Sequence, residues 1–269
     1  YKGPFTAMKI PGSTAEDNVR TVDVKASVDG GLLHIVRQST STGCEKEGLA
    51  MTLASAEEMA QSWGKPYGME TYESLLLEKK SKAEGLAKER AEKDKKDIEE
   101  RFKDEVKSFH DKAPVKINAT QVTSFGNDNQ PFTYQTDYTM DGLVKKAGRN
   151  LTISVGQLIG QQKHLEGKER KRSEDVYYDY PSSYKVNLDL EVPSGYSVSA
   201  ESLQKLNTLI DNAAIRFEVN AEQTKGKVIV HVQKVYKKQI VPVAEWAQLL
   251  EALDRAYAFT NQQVILKKN

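Results

Sequence analysis

Three stretches of the chain alternate apolar and polar residues. Along 22–28 the even positions are Val22, Val24, Ala26 and Val28, against Asp23, Lys25 and Ser27. Along 184–192 they are Tyr184, Val186, Leu188, Leu190 and Val192, against Lys185, Asn187, Asp189 and Glu191. Along 132–140 they are Phe132, Tyr134, Thr136, Tyr138 and Met140. A period of two gives a strand one buried and one wet face, the mark of antiparallel sheet. The expectation is a mainly β chain, antiparallel and β-sandwich-like, with accessory helices.

Two helices interrupt the strands. Tyr72 to Phe109 is highly charged, with Leu75, Leu76 and Leu77 near its start and Ile98, Phe102, Val106 and Phe109 near its end. Spacings of 4, 4 and 3 keep the last four on one helical face. A long charged helix is therefore expected over about 72–110. Its polar middle either projects or spans between packed ends. An amphipathic helix is expected over about 242–259, with Val243, Trp246, Leu249, Leu250 and Leu253 inward. A Ser55-x-x-Glu58 capping box marks the start of a short helix, and Asp29-Gly30 marks a hairpin. Val115, Ile117 and Ala119 are expected to share one side of a strand.

These elements divide the chain into a lead-in at 1–19, a β-rich region at 20–160 with a helical insert at 55–112, and a C-terminal β-rich region at 161–269. The last two form separate units or one continuous domain. A start at Tyr1 without a signal-peptide pattern points to a fragment or a processed protein. With 38% apolar and 29% charged residues the chain can build a sizeable core and stay soluble. A net charge of +1 exerts no general pull on nucleic acid, so no nucleic-acid partner is expected. No apolar run approaches the roughly 20 residues of a membrane span.

Chemistry-bearing patterns are few. None of His34, His110, His164 and His231 has a second ligand type at metal-site spacing, so neither metal nor cofactor is expected. Cys44, the single cysteine, lacks a nearby base and reads as an ordinary thiol rather than a nucleophile. Asn127-Asp128-Asn129 reads as an Asx-rich turn. The basic run 168–172, with Arg170 and Arg172, is a solvated loop or a contact for phosphate or an acidic partner. Tyr177, Tyr178, Tyr180 and Tyr184 cluster beside Pro181. Tyrosines offer large contact area with a polar tip, so Tyr177, Tyr178, Tyr180, Arg170 and Arg172 form a candidate surface for a protein or glycan ligand.

The second half carries "VNLDLEVPSGYSV" at 186–198, then "KGKVIVHVQKVYKKQIVPVAEW", an amphipathic helix and a terminal "QQVILKK". It resembles the C-terminal β-rich region of bacterial transglutaminase-like proteins. There an amphipathic strand leads into "LPxGY" and the region ends in "IVLKK". Val192-Pro193-Ser194-Gly195-Tyr196 and Val264 to Lys268 match that pattern. "NVRTVDVKASVDGGLLHIVRQSTSTG" at 18–43 resembles the paired strands that follow the core in those proteins. The resemblance implies an upstream papain-like core that holds the catalytic Cys, His and Asp, and a periplasmic or otherwise extracytoplasmic setting. It assigns no catalytic residue here. The function expected is a non-catalytic module that positions a partner or substrate for that core. The rivals are a carbohydrate-binding module using the tyrosines with Trp63 or Trp246, and an enzyme with an unrecognised site.

Overall fold

The computed structural model of the chain describes residues 12–69 and 82–269. The first part of the lead-in and the start of the long charged helix, with Leu75 to Leu77, lie outside the described residues. In chain order the elements are β1 (Val19–Asp29), β2 (Leu32–Ser41), α1 (Glu47–Leu53), α2 (Ala56–Met59), α3 (Lys82–His110), β3 (Lys116–Phe125) and β4 (Phe132–Met140). Then come β5 (Val144–Ala147), β6 (Asn150–Ile153), β7 (Val176–Tyr177), β8 (Ser182–Glu191), β9 (Tyr196–Val198), α4 (Ala200–Gln204) and β10 (Thr208–Asp211). The chain closes with β11 (Ile215–Thr224), β12 (Lys227–Tyr236), β13 (Ile240–Val241), α5 (Trp246–Phe259) and β14 (Val264–Lys268).

The fold is mainly β and sandwich-like, as the alternation predicts. One eight-stranded sheet has the order β10-β11-β12-β8-β1-β2-β4-β3, and a four-stranded sheet has the order β5-β6-β14-β9. Leu151, Ile153, Val264 and Leu266 of the smaller sheet share one core with Val22, Val24, Leu188 and Val230 of the larger. The large sheet consists of two antiparallel halves, β3-β4-β2-β1 and β8-β12-β11-β10. They join through β1 and β8, which run parallel. That seam departs from the all-antiparallel expectation. Its register sets Val22 beside Val186 and Val24 beside Leu188, so each apolar row crosses the seam unbroken. Strands of the 20–160 region and of the 161–269 region therefore share both sheets and one core.

Local signals account for most elements. Gly30 (φ 56°) and Gly31 (φ 90°) turn β1 into β2 in a conformation that glycine adopts without strain. The Ser55–Glu58 capping box forms, but α2 is only four residues long and continues into a π turn at 60–64. Phe102, Val106 and Phe109 of α3 are buried, as their spacing requires, and Trp246, Leu249 and Leu253 of α5 are buried too.

Two further expectations fail. Val243 stands 38% exposed in a 3-10 turn, because the α-helix begins only at Trp246. Val115, Ile117 and Ala119 do not share a buried side. Val115 precedes the strand, and register shifts at Ile117/Ala119 and Val122/Ser124 break the phase of β3 at the sheet's edge. Bulges and charge at an edge strand discourage pairing with other chains.

Candidate functional site

On three strands of the large sheet the inward phase changes from apolar to charged toward one end. In β1, Arg20 precedes buried Val22, Val24 and Ala26. In β2, Arg37, Ser39 and Ser41 follow Leu33 and Ile35, all buried. In β12, Lys234 follows Val228, Val230 and Val232. The cross-strand register sets Lys234 beside Tyr184, Tyr184 beside Arg20, and Arg20 beside Ser41. With strands about 4.8 Å apart, these form one polar row. The last turns of α3 cover it and bring the Glu105 carboxylate onto it.

Glu105 holds the centre of a bonded network. Arg37 donates through Nη1 to Oε1 at 3.0 Å and through Nη2 to Oε2. Tyr134 Oη donates to Oε1 at 2.6 Å, and Arg20 Nη2 reaches the same oxygen at 3.4 Å. Arg20 also donates to Tyr134 Oη at 3.0 Å and, through Nε, to Ser39 Oγ at 3.2 Å. Burial alone would push the Glu105 carboxyl up. The charge and hydrogen bonds of Arg37, with help from Tyr134 and Arg20, outweigh burial and hold it below the usual carboxylate range. Arg37 is fully buried, with its guanidinium 4.0 Å from the Phe109 ring centroid. His110 lies at the foot of α3, where burial and then the charge of Arg37 push it down to about 3. The neutral ring donates from Nδ1 to the Gln157 carbonyl at 3.0 Å and accepts from Tyr138 Oη at Nε2, 2.7 Å away. This network fixes protons and orients side chains, since each acidic or basic head in it is held by a neighbour.

Lys234 differs. It is only 9% exposed, and burial pushes its ammonium down to about 8. Nζ donates to Gln162 Oε1 at 2.6 Å and lies 5.5 Å from the Tyr236 ring centroid. Among the described residues no carboxylate pairs with it.

Lys234, Tyr184, Arg20 and Glu105 open onto a cleft of about 560 Å³ between α3, the segment 43–53, the loop 160–162 and the ends of β8 and β12. Gly160 (φ +82°) closes one wall. A Cβ there would stand 2.9 Å from Tyr184 Oη and 3.0 Å from the Phe109 ring, so only glycine permits this approach. Leu49, Phe109, Tyr184 and Tyr236 give the cleft apolar and aromatic surface, and Glu45 and Asp104 add acid.

The residues singled out in the sequence fall into two groups. Tyr178 packs on Tyr236, with ring centroids 4.9 Å apart. Burial, followed by the charge of neighbouring Glu45, pushes the Tyr180 phenol up to about 12. These two back the cleft. Tyr177 is 64% exposed and accepts a hydrogen bond from Gln239. Arg170 grips Asp254 on α5 with two hydrogen bonds of 2.8 and 2.7 Å. Arg172 lies over the Trp246 ring at 5.0 Å. Tyr177, Arg170 and Arg172 do not line the cleft. Trp63 donates to the Phe125 carbonyl. Cys44 is exposed, and its backbone N–H bonds Asn18. His34, His164 and His231 bond Asp137, Glu166 and Asn187. Among the described residues no group of three or more His, Cys, Asp or Glu could hold a metal, and no helix is long and apolar enough to cross a membrane.

Arg20, Arg37, Lys234 and Glu105 escaped the sequence reading. Their signal was present: each stands where the apolar phase of its strand or helix calls for a hydrophobe.

Comparison with known proteins bears on one wall of the cleft. Residues 150–266 match the model of the family described as Domain of Unknown Function with solved-structure structure (DUF3858). The DUF3858 match runs from β6 to β14. It includes Gly160, Gln162, Tyr184, Lys234 and Tyr236, while Arg20, Arg37 and Glu105 lie before it. It carries no link to transglutaminase-like proteins. No curated protein and no solved structure matches the chain.

Proposed function

We propose that this chain is a non-catalytic binding module whose ligand sits in the cleft between α3 and the large sheet. In this reading it positions a partner or substrate for a transglutaminase-like, papain-like core that lies outside the chain. The observation that carries the binding is the cleft itself: a charged row at the end of an otherwise apolar face, where buried Lys234 meets no carboxylate among the described residues. Buried charges without a counter-charge are expensive, and they persist where function uses them. The state of Glu105 supports positioning rather than catalysis. A carboxylate held by two guanidinium groups and a phenol is a poor base. The core, and with it an extracytoplasmic setting, rests on the resemblance of 18–43 and 186–198 to such proteins.

The test is amide chemical-shift mapping on the purified chain with a mixed library of peptides and glycans. Shifts confined to Gly160–Gln162, Tyr184 and Lys234 are expected. Shifts at Tyr177–Pro181 instead would favour a glycan surface. Amine incorporation by the chain that disappears in Cys44→Ser would overturn the non-catalytic reading.

A further inference from the structure

Resting on that binding cleft, we infer that its ligand carries a single carboxylate, which docks on Lys234 Nζ, with an apolar or aromatic body against Tyr236, Tyr184 and Phe109. The inward cations at this end of the sheet are half-buried Arg20 and buried Arg37 and Lys234, and the half-buried carboxylate of Glu105 meets the two arginines. Glu105 takes both nitrogens of Arg37 and one of Arg20. Lys234 receives only the amide oxygen of Gln162. An ammonium has three donors, so two remain for a ligand that enters the cleft. A charge-assisted bond to a carboxylate would restore the neutrality that burial disfavours losing.

The walls select the class of anion. Glu45, Asp104 and Arg101 line the same cleft. With Glu105 paired to Arg37 and Arg20, the acids Glu45, Asp104 and Glu105 leave the cations Arg20, Arg37, Arg101 and Lys234 a net excess of about one charge, which a dianion such as phosphate would overshoot. A monoanion neutralises Lys234 and adds no excess charge. The aromatic rings beside Lys234 then give the organic part of the ligand its area. Tyr236 has its ring centroid 5.5 Å from Nζ, and Tyr184 neighbours Lys234 across the strands.

The experiment titrates the chain with hippurate, which joins one carboxylate to an aromatic ring, with its neutral amide hippuramide, and with inorganic phosphate. Binding is followed through the side-chain signals of Lys234 and the amides of Gly160 and Gln162. Hippurate is expected to move these signals and to bind about tenfold more tightly than hippuramide, the scale of one charge-assisted hydrogen bond. Phosphate should bind more weakly than hippurate. Lys234→Met, isosteric and apolar, should keep the fold by circular dichroism and lose that tenfold preference. Lys234→Arg should retain it. Equal binding of hippurate and hippuramide, a preference for phosphate, or a preference that survives in Lys234→Met would overturn the carboxylate while leaving the cleft a binding site. No binding of any probe at these residues would count against both readings.

Discussion

The middle and the end of the large sheet's inner face use the same strands in the same phase and reach opposite solutions. In the middle, Val219, Val232, Val186 and Val22 form one row, and Val230, Leu188 and Val24 form the next. All are buried against the smaller sheet in a single core. Two residues further along β1, β8 and β12 the row becomes Arg20, Tyr184 and Lys234. The first rows need only shape and area, because apolar burial is non-directional. The charged row needs partners. Where it finds them, in Arg37 and Glu105, it locks α3 to the sheet. Where it does not, at Lys234, the fold carries an instability that a ligand would relieve.

Substitutions on the two parts of the face test this contrast. Glu105→Leu should have the largest effect, because it strands the fully buried Arg37 without a carboxylate. A loss of about 3–5 kcal/mol in urea unfolding is expected. A loss below about 1 kcal/mol would mean that the pair does not hold the helix. Leu188→Ala, at a site with no exposure, should cost about 2–5 kcal/mol through lost area and a cavity. A small loss there would break the claim that the middle rows are tightly packed. Lys234→Met should act in the opposite direction and stabilise the chain by about 1–3 kcal/mol at neutral pH. The pH dependence gives the same contrast. The folded-state value of about 8 lies below the ordinary 10.5. Between the two the unfolded chain binds more protons, so wild-type stability rises with pH across that window. The Lys234→Met variant should lack that contribution. The smallest effect belongs to Asp189→Ala on the opposite, wet face. Asp189 is about a third exposed and meets Lys227 at 3.1 Å, so a change within about 1 kcal/mol is expected. A large loss there would show that the polar face is also structural.

Much of the fold was legible locally. β1, β4 and β8 declared themselves through alternation, the first hairpin through Asp29-Gly30, and α5 through Trp246, Leu249 and Leu253. The parallel seam was not legible, because Val22 and Val186 meet across most of the chain and no local pattern encodes the direction of their pairing. The segments β5, β9, β10 and α4 are three to five residues long, too short for periodicity to register. The cleft was half legible. Tyr178, Tyr180 and Tyr184 stood out, and the structure sets them behind or within it. Arg37 followed Leu33 and Ile35 in phase, yet its partner Glu105 lies 68 residues away, on a helix whose charged sequence hides one inward acid. Lys234 follows Val228, Val230 and Val232 in the inward phase of β12, and a single lysine after three valines does not by itself reveal burial.

In the proposed binding cleft, the charged end of the inner face trades stability for binding at Lys234. The most direct measurement is the unfolding free energy of Lys234→Met beside that of the parent, without and with hippurate. The variant is expected to be more stable than the parent without ligand and to gain less from hippurate than the parent does. A variant less stable than the parent, and stabilised by hippurate to the same degree, would contradict it.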